Sequence, residues 1–191
     1  MATASADSRI YSVARVRDIE RTAMSALPEG TLMSRAGAAT AQLALSMLGS
    51  DNTGSVLVLA GPGNNGGDAL EAAALLAQRG QRVFVVLMAD PQRLPNDAQV
   101  AYQHALSAKV AFVDRFDVTA RWSLAIDGLF GIGLARPLRG RLLQRLSKST
   151  RWIARYWRLM CRVVWMLTAV VSLVMLVWML TAVVSLVMLS R

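Results

Sequence analysis

The apolar positions of this chain follow first one period and then another. Over residues 12 to 27, Val13, Val16, Ile19, Ala23, Met24 and Leu27 fall on one face of a helix, and Pro28-Glu29-Gly30 ends it. Thr31 to Leu48 predicts a second helix, whose small residues Gly37, Ala41 and Ala44 permit close packing on one side. Gly49 to Gly54 is a turn cluster. Short apolar runs at Ser55–Ala60, Arg82–Met88, Lys109–Val113 and Trp122–Ile126 then predict buried strands. Helices are predicted between them near Gly67–Arg79 and Asn96–Leu106, the latter capped by Asn96 or Asp97. This alternation predicts an α/β fold with a mostly parallel sheet covered by helices. Ligands of such sheets sit beyond the carboxyl ends of the strands. The glycine-bearing loops Gly61–Asp68 and Asp127–Pro137 both leave strands at that edge.

After about Lys148 the pattern changes, dividing the chain into a domain over 1–147 and a tail over 148–191. Arg151 to Arg162 is basic and aromatic. Val163 to Leu189 carries no charge, and Val164–Leu176 recurs letter for letter as Val177–Leu189. The run exceeds the roughly 20 apolar residues that span a bilayer as a helix. Basic residues ahead of it would hold the domain on the cytoplasmic side. At face value it is an apolar helical tail making membrane contact through residues 163–189.

Charge changes little in this picture. The net charge of +9 resides late. Residues 1–127 hold 11 basic and 12 acidic side chains, whereas residues 128–191 hold 10 basic and none acidic. A nucleic-acid-binding domain carries its charge on a folded face with interleaved aromatics, so nucleic acid is not an expected partner. The single Cys161 excludes an internal disulfide and fits a reducing compartment. Met1 to Asp7 lacks the basic and apolar parts of a secretory leader.

Candidate chemistry concentrates in the turn after the first strand, Gly61-Pro-Gly63-Asn64-Asn65-Gly66-Gly67-Asp68. Glycine permits close backbone approach, and the N–H groups opening the next helix attract an anion. Gly61-x-Gly63-x-x-Gly66 fits a dinucleotide fingerprint, with Asp90 at the distance of a ribose contact. A P-loop is excluded, because no Lys-Ser or Lys-Thr closes the motif. A purely structural Gly/Asn turn also accounts for the glycines. The two amides and the carboxylate exceed what a phosphate cradle needs.

The full string resembles the signature of the NAD(P)H-hydrate epimerase (YjeF N-terminal domain) family. Two further segments are similar to that family in the same order. Tyr11 to Glu20, with Gly30-Thr-Leu-Met-Ser-Arg-Ala-Gly37, looks like its opening helices. Ala125-Ile-Asp127-Gly-Leu-Phe-Gly131-Ile-Gly133-Leu-Ala-Arg136-Pro137-Leu looks like its second binding loop. The resemblance covers about residues 10 to 147, and Ala69 stands where the family usually has Gly. It implies a Rossmann-like, three-layer αβα fold, incomplete here on its C-terminal side. The implied activity is interconversion of the R and S forms of hydrated NADH and NADPH, an isomerase step in cytoplasmic nicotinamide nucleotide repair. A separate ADP- or ATP-dependent NAD(P)H-hydrate dehydratase then acts on the S form. By resemblance, Asn64, Asn65, Gly66, Gly67 and Asp68 contact the substrate. Gly131, Ile132, Gly133, Leu134, Ala135, Arg136 and Pro137 form the other wall. The family also binds potassium, and Asn65 and Asp127 match two ligand positions. Amide and carboxylate oxygens suit such a hard cation. Asp127 reads equally as a strand-end turn carboxylate. A homodimer is among the assemblies left open.

The family next carries a strand ending in a motif like Asp-[Val/Ile]-Pro-Ser-Gly, which supplies its candidate acid–base carboxylate and a further potassium ligand. No such string occurs here, so no catalytic residue is assigned. With permitted codons, however, Leu159 to Ala169 read one base earlier gives Ile-Asp-Val-Pro-Ser-Gly-Val-Asp-Ala-Asp. Residues from about 148 to 191 are therefore expected to be an out-of-frame reading of the family's C-terminal half. The remaining singular residues receive plain readings. His104 is a surface residue of a polar helix, Cys161 is inert, and Trp122 packs in the core.

Overall fold

The computed structural model describes residues 11–49, 54–116, 120, 122–131 and 163–165, the last for their backbone only. The chain divides into two compact units, one comprising Met1–Ala26 with Leu167–Arg191 and the other Leu27–Met166. In the first, α1 spans Val13–Ala26 and buries none of its residues. Val13, Ile19 and Met24 of its apolar stripe are exposed.

The second unit is built on a parallel sheet of five strands. Its elements are α2 (Thr31–Leu48), β1 (Ser55–Ala60), α3 (Asn64–Gln78), β2 (Arg82–Leu87), α4 (Asn96–Ser107), β3 (Ala111–Phe112), β4 (Trp122–Gly128) and β5 (Val163–Trp165). A single 3-10 turn, Pro91–Arg93, precedes α4. The strand order is β3-β2-β1-β4-β5. Successive crossovers β1-α3-β2 and β2-α4-β3 step the same way along the sheet, so right-handed connections place α3 and α4 on one face. The chain then returns across β1 to β4, which makes the gap between β1 and β4 the topological switch point.

The strands alternate as their period requires. Val56, Val58, Ala60, Val83, Val85, Leu124 and Ile126 pack with α2, α3 and α4 in one core. Leu57, Leu59, Val86, Ala125 and Leu129 form a second cluster. Burial on both faces is why β1 reads as an unbroken apolar run. Among the described residues of this unit, α2, α3 and α4 pack against one face of the sheet.

Four local expectations need correction. Helix α3 begins at Asn64, not near Gly67, so the two amides lie within its first turn. Helix α4 is capped by Pro95, which makes no side-chain cap bond, and Asn96 is already helical. The strand expected from Lys109 shortens to Ala111–Phe112, because Lys109 has φ 57°, a left-handed turn conformation. Val163–Trp165, expected within an apolar helix, pairs in parallel with Ala125–Asp127 as β5. That Val-Val-Trp triplet has the β-branched and aromatic character of strands. Among the described residues no helix is long and apolar enough to cross a membrane. The tail repeat from Met166 on and Cys161 lie outside the described residues.

Candidate functional site

The two motif loops meet at the carboxyl rim of the sheet, on either side of the switch point. Strand pairing sets Leu59 beside Asp127 and Ala60 beside Gly128. Just past the strands, Gly61 N–H donates to the Gly128 carbonyl at 3.1 Å. Further along both loops, the Asn65 side-chain amide donates to the Phe130 carbonyl at 3.2 Å. The approach is close enough to exclude side chains. A Cβ on Gly61 would collide with the Leu129 carbonyl, and one on Gly66 with the Gly61 carbonyl. These contacts account for two of the three glycines of the fingerprint pattern; at Gly63 a Cβ would meet open space.

Because α3 starts at Asn64, the N–H groups of Asn64, Asn65 and Gly66 precede the first bond of the helix, which Gly67 N–H makes to the Gly63 carbonyl at 3.2 Å. The partial positive charge of that terminus favours an anionic group. Asn64 is exposed, Asn65 and Asp68 are half-buried, and Gly66 and Gly67 are buried. Gly67 faces Met33 of α2 and Ala98 of α4 rather than the rim. A side chain at this position would crowd the packing of α3 on α2 and α4.

Asp127 is 9% exposed, and its Oδ1 accepts the Leu129 N–H at 2.9 Å. Asp127 thus makes the bond expected of a strand-end turn carboxylate. Asp90, the acidic residue of the dinucleotide pattern, instead accepts the Gln92 N–H at 3.0 Å as the cap of the 3-10 turn. Gly131 lies against Asn65. Ile132, Gly133, Leu134, Ala135, Arg136 and Pro137 lie outside the described residues. Trp122 is half-buried and meets Phe84 edge-on, ring centroids 5.4 Å apart.

One polar pair was not legible in the sequence. His104 Nδ1 lies 2.8 Å from Glu71 Oε2. The histidine side chain is 53% exposed but the glutamate only 12%, so His104 is a surface residue with a buried partner. Both line a groove of about 690 Å³ with Glu29, Arg35 and Asp97. A Cβ on Gly37 would stand 2.6 Å from Glu71 Cβ, so the glycine makes room for the carboxylate stem. The spacing of Glu71 and His104 carries no motif, and only the packing of α3 on α4 joins them.

Comparison with known proteins agrees with this architecture. Residues 29–155 match the family described as YjeF-related protein N-terminus. The NAD(P)H-hydrate epimerase of Bordetella pertussis (strain Tohama I) is 46% identical over 144 residues, covering 75% of this chain and 60% of the relative. The bifunctional NAD(P)H-hydrate repair enzyme Nnr of Thermofilum pendens is 35% identical over 142 residues, covering 69% of this chain and 27% of the relative. The chain thus spans about three-fifths of the length of the epimerases it matches. The crystal structure of yeast ynu0 has the same fold, with a TM-score of 0.66 at 19% identity over 82% of this chain and 68% of the yeast chain. Paired glycine loops at the switch point of a Rossmann-like parallel sheet, and a match over two-thirds of the residues, lead to one conclusion: the chain belongs to the YjeF-related N-terminal family.

Proposed function

We propose that the rim between β1 and β4 binds hydrated NADH or NADPH and serves the interconversion of its R and S epimers, an isomerase reaction of nicotinamide nucleotide repair. The observation that carries this reading is the joining of the two motif loops by Gly61 to Gly128 and Asn65 to Phe130. The relatives named as epimerases and as a bifunctional repair enzyme support the substrate class and the link to a dehydratase step. In this reading the first turn of α3 receives phosphate oxygens, since its N–H groups and dipole favour negative charge. Asp127 lies at the end of β4 and Asn65 opens α3 at the same rim of the sheet.

Potassium fits the same residues. Asn65 commits its nitrogen to Phe130, which turns its oxygen away from that bond, and Asp127 adds a carboxylate; both are hard oxygen donors. Bound there, the cation would offset the nucleotide's negative charge. Epimerisation needs a positioned acid or base, which the resemblance puts in the later Asp-x-Pro-Ser-Gly segment. Asp68 and Asp127 are assigned binding and structural work.

The test is to add purified full-length chain to one epimer of hydrated NADH and follow the other by chromatography. Binding of the hydrate by this chain, tighter in potassium than in a chloride salt of a bulky organic cation, is expected, and acceleration over the uncatalysed rate is expected of a frame-restored chain in which Asp-Val-Pro-Ser-Gly follows Leu159. If neither protein accelerates the exchange or binds the hydrate, the reading fails.

A further inference from the structure

One side chain joins the two loops, and it joins them with a defined polarity. Asn65 Nδ2 lies 3.2 Å from the Phe130 carbonyl oxygen. A carbonyl can only accept, so the nitrogen of the amide faces it and not the oxygen. The same side chain lies against the next residue of the loop. A Cβ on Gly131 would stand 3.2 Å from Asn65 Cβ and 3.5 Å from its Cγ. Between these contacts and the strand, Leu129 turns its N–H inward to Asp127. The start of the second loop therefore rests on Asn65.

We infer that Asn65 is a positioning residue that holds Phe130 and Gly131 over the first turn of α3 through its amide nitrogen. The inference rests on the rim being the nucleotide-hydrate site. It sets Asn65 apart from its neighbours. Helix-terminal N–H groups attract phosphate oxygens, whereas Asn65 Oδ1 repels them. That oxygen is the donor given to potassium above, and the phosphates lie elsewhere along the turn.

Asn65→Ala removes the link. Hydrogen exchange of the ligand-free chain supplies a readout that needs no turnover: exchange over residues 129–131 is expected to be about fivefold faster in Asn65→Ala, with exchange in β2 and α4 unchanged. Gly131→Ala, which crowds Asn65 without altering it, is expected to speed exchange in the same residues. The affinity of Asn65→Ala for hydrated NADH is expected to fall about tenfold. Failure of the wild type to bind hydrated NADH would overturn the functional reading and leave the exchange result to decide the link. Wild-type exchange over residues 129–131 in Asn65→Ala would overturn the inference.

Discussion

Asp127 carries two separable duties at the residue scale, a turn bond and a negative charge. Its Oδ1 accepts a hydrogen bond from a buried turn, so removing the side chain leaves the Leu129 N–H unsatisfied. Asp127→Ala is expected to cost about 1–3 kcal/mol in urea unfolding. Asp127→Asn keeps an oxygen for Leu129 and is expected to cost under about 1 kcal/mol, while abolishing any response to potassium. An unaltered potassium response in Asp127→Asn would remove this residue from the cation site. Glu71 and His104 give a second residue-scale contrast. Breaking a pair by deleting one partner costs more than replacing a buried charge with a well-packed apolar group. His104→Ala strands the buried Glu71 carboxylate and is expected to lose about 1–2 kcal/mol. Much of that loss is expected to vanish in the His104→Ala, Glu71→Leu double variant, which a double-mutant cycle measures.

Among the elements, the join between β1 and α3 is the most constrained. Gly61 and Gly66 touch backbone carbonyls where a Cβ has no room, whereas at Gly63 (φ −111°) a Cβ meets nothing within 4 Å. Gly61→Ala and Gly66→Ala are each expected to destabilise by about 2 kcal/mol or more, and Gly63→Ala by less than about 0.5 kcal/mol, in the same unfolding assay. Equal losses at all three would contradict the packing described. This join also shows what was legible beforehand. The bounds of β1 and α2 follow from apolar period alone, because both are set by burial. The start of α3 does not: Asn and Gly argue for a loop, and only contact with Gly61 and the second loop makes a helical turn favourable there. The cap of α4 was displaced in the same way, since Pro95 fixes the entry that Asn96 was expected to make. The rim position of Asn65 and Asp127 was readable as a motif, but the direction of the Asn65 amide required the distant Phe130 carbonyl. The Glu71–His104 pair spans 33 residues and left no trace in spacing.

For the molecule as a whole, the parallel sheet with its switch at β1 and β4 brings distant loops together at one rim. β5 extends the sheet beyond β4, pairing Val163 to Trp165 with Ala125 to Asp127. A strand edge left unpaired invites association with other chains, so a chain ending before β5 is expected to aggregate at lower concentration, as light scattering would show. Sequencing the gene across codons 140 to 191 tests the frame of this segment, because only particular synonymous codons spell Asp-Val-Pro-Ser-Gly one base away. The most direct measurement of the single two-loop site is hydrogen exchange of the full chain with and without hydrated NADH. Protection of both residues 61–68 and residues 127–131, saturating together at one ligand concentration, is the expected result. Protection of one loop alone, or of neither while the ligand binds, would contradict it.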